Sequence, residues 1–222
     1  MDMFERLREL LFPRKCLFCR KILPAHQTFI CADCRENEPV FSKEKINFSF
    51  IARWTAVWYY RDGVRSSLLW YKFYHRRSCA CDYARFLAMK LQNSDMDQPD
   101  LLVWVPVSWQ RKLARGYDQV ALITRELSKI LDIPALPALK KVRHTPPQSG
   151  LKSAAERRAN VLGAYRVVLP DAVAGKRVLL VDDIITTGAT VSECARMLTM
   201  AGASEITCAA MAVAPHDKKK HS

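Results

Sequence analysis

Apolar and polar positions along this chain follow two periods, and the switches between them lay out its elements. Trp54–Tyr60 (WTAVWYY) alternates and predicts a strand. Residues 62–73 (DGVRSSLLWYKF) predict a helix entered through Asp62, and residues 82–92 predict a second one. Leu101–Val107 (LLVWVPV) is apolar throughout and reads as a buried strand ending at Pro106. Residues 110–131 give one long helical pattern. Residues 142–153 (VRHTPPQSGLKS) have no period and hold two prolines and a glycine, which marks a loop. Residues 154–162 predict a short helix, Ala164–Val168 a strand, and 177–182, 190–201 and 205–213 a closing strand, helix and strand. Alternating helices and buried apolar strands predict an α/β fold with a parallel sheet. The N-terminal MDMFERLRELLF predicts an amphipathic helix with Phe4, Leu7, Leu10 and Leu11 on one face, docked on its own domain.

One segment adds chemistry to this pattern. In VLLVDDIITTGAT (178–190) four apolar residues run into Asp182 and Asp183, and a Thr/Gly turn leads into a helix. The turn can offer several backbone N–H groups to one phosphate, with the helix dipole and the Thr hydroxyls adding to the attraction. Ionised carboxylates only accept hydrogen bonds, so an adjacent pair suits the vicinal hydroxyls of a sugar. The segment predicts a site for a phosphorylated ribose at the carboxyl end of a strand.

The 222 residues divide into an N-terminal helix and four-cysteine module (1–40), a linker (41–53), the main domain (54–215) and a basic tail (216–222). Cys16, Cys19, Cys31 and Cys34 form two CxxC pairs eleven residues apart. That spacing suits two knuckles closing a tetrahedron of thiolates around a structural zinc, and the alternative is two disulfides. The N-terminus carries acidic residues and lacks a small-residue cleavage site, so it does not read as a secretory signal, and the expected compartment is the reducing cytoplasm. Cys194 and Cys208 fall on expected core positions, and Cys79 and Cys81 suggest no role. No run reaches the roughly 18 apolar residues of a membrane span. The formal charge of +13 is clustered: residues 61–77 carry a net +4, 108–117 a net +3 and 140–158 a net +5. Such clusters point to a polyanion, either pyrophosphate or a nucleic-acid backbone.

VLLVDDIITTGAT resembles the phosphoribosyl pyrophosphate (PRPP) motif of the type I phosphoribosyltransferases. A double CxxC knuckle ahead of such a domain is similar to the ComF family, which includes competence proteins and GntX-like proteins. Three further segments carry the likeness: Tyr60-Arg61-Asp62-Gly63 through Leu68 to Tyr71-Lys72; Val105-Pro106-Val107-Ser108 with Arg111, Lys112, Arg115, Gly116 and Gln119; and Arg143, Thr145, Gln148 and Leu151 continuing to Arg157, Asn160, Val161 and Gly163. Trp70 and Phe73 depart from the usual Leu-Lys-Tyr, and Tyr117 stands where Phe is usual.

The resemblance implies a parallel-sheet type I phosphoribosyltransferase domain with a small N-terminal zinc knuckle. It implies catalytic carboxylates at Asp182 and Asp183 and PRPP contacts from Asp182, Asp183, Ile184, Thr186, Thr187, Gly188, Ala189 and Thr190. Ser108, Arg111, Lys112 and Arg115 would face the pyrophosphate, and Gln148, Arg157 and Asn160 would belong to a hood over the site. Mg²⁺ would accompany PRPP. The implied work is handling of single-stranded DNA during uptake, with a competence helicase or DNA-processing proteins as partners. The alternative is a metabolic phosphoribosyltransferase that transfers to a base or amine, the acceptor unidentified.

Overall fold

The computed structural model describes residues 13–24, 27–42, 46–74, 76–143, 145 and 154–215. The expected N-terminal helix around Phe4, Leu7, Leu10 and Leu11, the hood residue Gln148 and the basic tail lie outside these described residues. The strands are β1 (Arg53–Tyr59), β2 (Leu101–Trp104), β3 (Ala135–Leu136), β4 (Leu139–Lys141), β5 (Tyr165–Val167), β6 (Arg177–Ile185) and β7 (Glu205–Val213). The helices are α1 (Ala32–Glu36), α2 (Asp62–Phe73), α3 (Cys79–Gln92), α4 (Trp109–Arg115), α5 (Gln119–Leu131), α6 (Ala154–Val161), α7 (Pro170–Val173) and α8 (Ala189–Met200).

Five strands form one sheet in the order β1-β7-β6-β2-β3, every pair parallel, and β4 and β5 form a separate antiparallel pair. The expected parallel α/β sheet is thus the observed fold. Because side chains alternate along a strand, the apolar strands supply two cores. Leu102, Trp104, Leu179, Val181, Ala209 and Met211 join a cluster with α2, α3 and α5. Leu101, Val103, Val178, Leu180, Cys208 and Ala210 join another with α6 and α8.

β2 leads through α5 to β3 on one side, and β6 leads through α8 to β7 on the other. The neighbours β2 and β6 therefore mark the point where connections diverge, which opens a crevice at their carboxyl ends. Pairing between them stops at Trp104–Val181, whereas β6 and β7 stay paired to Ile185–Val213. Strand β2 ends ahead of Pro106, which has no N–H to donate. β6 runs on past it, three residues beyond the sequence expectation, and carries both carboxylates into the crevice.

The long helix expected over 110–131 is two helices. Gly116 takes a left-handed conformation (φ 73°) and ends α4, and the Asp118 side chain caps α5 by accepting from Val120 and Ala121 N–H at 3.1 and 3.0 Å. In the segment expected as a linker, Phe41 and Phe48 are buried in the second core.

Candidate functional site

The alternation of β6 continues into its acidic end. Asp183 falls on the face of Leu179 and Val181, towards α2 and α5, and Asp182 on the face of Val178 and Leu180, towards α8 and the β4–β5 pair. Both are buried.

Asp183 is met from both helices. Lys72 Nζ of α2 lies 3.0 Å from its Oδ2, and Gln119 Nε2 of α5 donates to the same oxygen at 2.8 Å. Burial works to raise this carboxyl, but the Lys72 charge, the two hydrogen bonds and Arg115 outweigh it and hold it below the usual carboxylate range. Asp182 has a different environment. Burial and the neighbouring Asp183 charge push it well above the usual range. Its Oδ1 accepts the Asp183 backbone N–H at 2.8 Å, a bond made within the strand.

Lys141 of β4 lies on the Asp182 side. Its Nζ donates to Thr145 Oγ1 at 2.7 Å and sits 5.4 Å from the Tyr165 ring centre. Burial, with Arg111 and Arg143 nearby, pulls the amine down to about 8. Cys194 and Asp182 act on it in the opposite direction.

These groups open into one cavity of about 770 Å³. Its walls include Arg65, Lys72, Arg111, Arg115 and Lys141 around the strand end and the Thr186–Thr190 turn. Gly188 takes φ 75° in that turn, and a Cβ there would fall 2.1 Å from the Phe48 ring. The turn is therefore backed by an aromatic ring, and its backbone can approach a ligand from the open side.

At the other end of the chain the four Sγ atoms of Cys16, Cys19, Cys31 and Cys34 lie within 4.8 Å of one another, and all four are free thiols. A zinc–thiolate tetrahedron with bonds of about 2.3 Å has edges of about 3.8 Å, so the cluster fits a structural zinc. Burial opposes ionisation of Cys16, yet backbone N–H groups of Cys19, Cys31 and Phe18 turned to its sulfur bring the thiol down to about 7. Leu17, Phe18, Leu23 and Ile30 of this knuckle are buried in the same core as Trp58, Tyr83 and Phe86. Ser67 of α2 bonds Leu17 O at 2.6 Å and Tyr83 OH at 2.7 Å.

The sequence of this fold has clear relatives. Residues 121–222 match the phosphoribosyl transferase domain. Competence protein F of Haemophilus influenzae is 32% identical over 182 residues, 79% of this chain and 75% of that protein. The chain belongs to the competence protein F family. DNA utilization protein YhgH of Escherichia coli K12 is 30% identical over 190 residues, 83% of this chain and 78% of that protein. Competence protein ComFC of Streptococcus pneumoniae is 28% identical over 207 residues, 91% and 80% of the two chains.

In this member of the competence protein F family, Asp182, Asp183, Ile184, Thr186, Gly188, Ala189 and Thr190 line the cavity together with Arg111 and Arg115. Thr187 does not line it, and its buried hydroxyl has no partner among the described residues. Ser108 is buried and caps α4, accepting Arg111 N–H at 3.4 Å, and Lys112 is exposed on the same helix away from the cavity wall. Arg157 and Asn160 sit half-buried on α6 and are not among the lining residues. Arg143 fixes that helix end by donating to Asn160 O and Leu162 O at 3.0 and 2.8 Å.

Arg65, Lys72, Gln119, Lys141 and Tyr165 were absent from the candidate set, yet all line the cavity. A signal existed for two of them. Arg65, Leu69 and Lys72 stand at i, i+4 and i+7 and so share one helix face.

Proposed function

We propose that this protein binds PRPP with Mg²⁺ and works in DNA uptake or the handling of single-stranded DNA in the cytoplasm. One observation carries the PRPP reading: the acidic strand end, the Thr/Gly turn and five cationic side chains share a single cavity. In this reading the backbone of Thr186–Thr190 and the start of α8 take the 5′-phosphate. The Asp182–Asp183 strand end takes the ribose hydroxyls, and Arg111 and Arg115 face the pyrophosphate. Mg²⁺ arriving with PRPP neutralises part of the pyrophosphate charge. Transfer would break the bond from ribose C1 to pyrophosphate and form one to an acceptor, and the fixed cations stabilise the leaving group. A zinc held by Cys16, Cys19, Cys31 and Cys34 serves the fold.

Calorimetry with PRPP and Mg²⁺ tests the reading. Saturable binding that weakens about tenfold or more in Asp183→Asn, the loss of a charged hydrogen bond, supports it. Absence of binding overturns it. Scoring pyrophosphate release over a panel of nucleobases and amines separates the DNA-handling reading from a metabolic transferase.

The DNA reading rests on the relatives' names, competence protein F and DNA utilization protein, and on one surface. Trp109, Tyr74 and Phe73 are 69%, 68% and 57% exposed at the ends of α4 and α2. Arg76, Arg77, Arg111, Lys112 and Arg115 stand among them in sequence, and the Arg115 guanidinium lies 5.0 Å from the Phe73 ring centre. Exposed rings stack on bases for about 1–3 kcal/mol each while cations track the phosphates. Single-stranded DNA should bind with an affinity that falls steeply with salt, at a log–log slope near −0.7 per phosphate contact, and Arg76→Ala with Arg77→Ala should flatten the slope. No DNA binding at low salt would leave the basic surface to pyrophosphate alone.

A further inference from the structure

The exposed aromatic and basic surface and the cavity are not separate places. The ends of α2 and α4 are tied to each other. Arg77 donates to Gly116 O at 2.8 Å, and its guanidinium lies 5.2 Å from the Tyr117 ring centre. Arg115 reaches the other way, to 5.0 Å from the Phe73 ring centre, and Tyr117 OH donates to Tyr71 O. Segments distant in sequence thus form one continuous surface. Of its side chains, Phe73, Arg111 and Arg115 also line the cavity, whereas Tyr74, Trp109 and Lys112 do not. The surface therefore runs over the cavity rim, and what the two share is two cations and one ring.

Arg115 belongs to both. It stands against the exposed Phe73 ring, while the Asp183 charge at the strand end and Arg111 one turn away both act on it. Arg111 and Arg115 are at i and i+4, which puts their Cβ atoms about 5–6 Å apart on one helix face. Two anions held by this pair would lie within a Debye length of each other, about 8 Å at physiological salt, and would repel. A guanidinium turned to a pyrophosphate inside is also withdrawn from a phosphate at the rim. We infer that PRPP and single-stranded DNA exclude one another on this protein because both need Arg111 and Arg115, so that the supply of PRPP sets how much DNA the protein holds. This rests on the proposal that the cavity takes PRPP and the surface takes DNA, and it adds the regulation that links them.

The test titrates the full chain into a fluorescently labelled oligothymidylate and reads anisotropy, with PRPP, inorganic pyrophosphate or ribose 5-phosphate as competitor. Ionic strength and free Mg²⁺ are fixed, so that salt acts equally in every arm. With PRPP at about ten times its own Kd, exclusion raises the DNA Kd about tenfold, by the factor 1 + [L]/Kd. Pyrophosphate should do the same. Ribose 5-phosphate lacks the group that meets the arginines and should leave the DNA Kd unchanged. Linkage requires the reciprocal effect, DNA weakening PRPP in calorimetry to the same degree. Arg115→Gln should weaken both ligands, and PRPP at about ten times its new Kd should then raise the DNA Kd by well under tenfold. Arg111→Gln serves if that variant fails to fold, and zinc content and circular dichroism report on folding. Independent binding of the two ligands, or DNA binding tightened by PRPP, overturns the inference and leaves both binding readings in place. Equal displacement by ribose 5-phosphate, or full displacement in both arginine variants, overturns the assignment to Arg111 and Arg115. A chain that binds DNA but not PRPP loses the PRPP reading and the inference with it, and one that binds PRPP but not DNA loses the DNA reading and the inference with it.

Discussion

Asp183 and Asp182 are the same residue side by side on one strand, and the two faces of the sheet treat them oppositely. On the knuckle side, Asp183 meets Lys72 at 3.0 Å and Gln119 at 2.8 Å and stays ionised. On the α8 side, burial and the neighbouring charge hold the Asp182 carboxyl well above the usual range. Lys141, a basic group on that side, is itself pulled down by burial. One face supplies a fixed, ionised acceptor, and the other a carboxyl raised and an amine lowered by burial. Two adjacent carboxylates in a motif are therefore not two copies of one function.

The largest way to break this comparison is to remove the knuckle. Cys31→Ser with Cys34→Ser removes two of the four thiolates, and zinc held in small modules of this kind is worth about 10–16 kcal/mol, against a domain stability of about 5–15 kcal/mol. Because Leu17, Phe18 and Ile30 share a core with Trp58 and Tyr83, the double variant should lose cooperative unfolding throughout the knuckle side. Calorimetric melting and metal analysis, about one zinc per chain in the wild type, check this.

Lys72→Met comes next. It leaves the Asp183 charge buried without its counter-ion and should cost about 3–5 kcal/mol in denaturant unfolding. Its expected contrast is Lys141→Met on the opposite face, described last.

Gly188→Ala acts on the opposite, α8 side of the sheet. A positive φ and a Cβ 2.1 Å from the Phe48 ring should together cost roughly 2–4 kcal/mol. In a Phe48→Leu background the same change should cost only about 1 kcal/mol, the backbone part. Equal costs in both backgrounds would show that Phe48 does not back the turn.

The change with the smallest loss of stability is Lys141→Met, which should be mildly stabilising at pH 7, where the wild type buries a charged amine at a cost. The folded amine titrates near 8 against an ordinary value of 10.5, so between those values the unfolded chain binds more protons. Wild-type stability should therefore rise with pH from about 8 to 10.5 relative to the variant. PRPP affinity should show the reverse sign. It should fall in the wild type as pH rises through 8 and the cation is lost, and the variant should lack that inflection.

The parts of this molecule legible in its sequence are those set by local pattern. The four cysteines, the apolar strands and the strand–turn–helix around Asp182 each depend on neighbours a few residues away. The parts that were not legible depend on distant residues. Lys72 and Gln119 stand in segments that carry the family likeness, but their place at Asp183, like that of Lys141 in the cavity, comes only from the crossing of α2, α5 and β4 over the strand end. Ser108 resembles a ligand residue in sequence, but its hydroxyl faces the first turn of α4. The helical pattern over 110–131 runs across Gly116, whose left-handed backbone divides the expected helix in two.

The placement of β1 has a consequence for how the chain is made. Among the described residues its partner within the sheet is β7, the strand at residues 205–213. At synthesis rates of about 5–20 residues per second, β1 waits on the order of ten seconds for that partner. A strand as apolar as Trp54–Tyr59 left bare for that time is an aggregation hazard. The segment before it already offers cover. Phe41 N–H donates to Val57 O at 3.0 Å, Tyr59 N–H donates to Pro39 O at 2.8 Å, and Phe18 of the knuckle packs edge-on against Trp58 at 5.3 Å. These contacts lie wholly within the first 59 residues, so Pro39 and Phe41 can cover one edge of β1, and Phe18 one face, before β7 is synthesised.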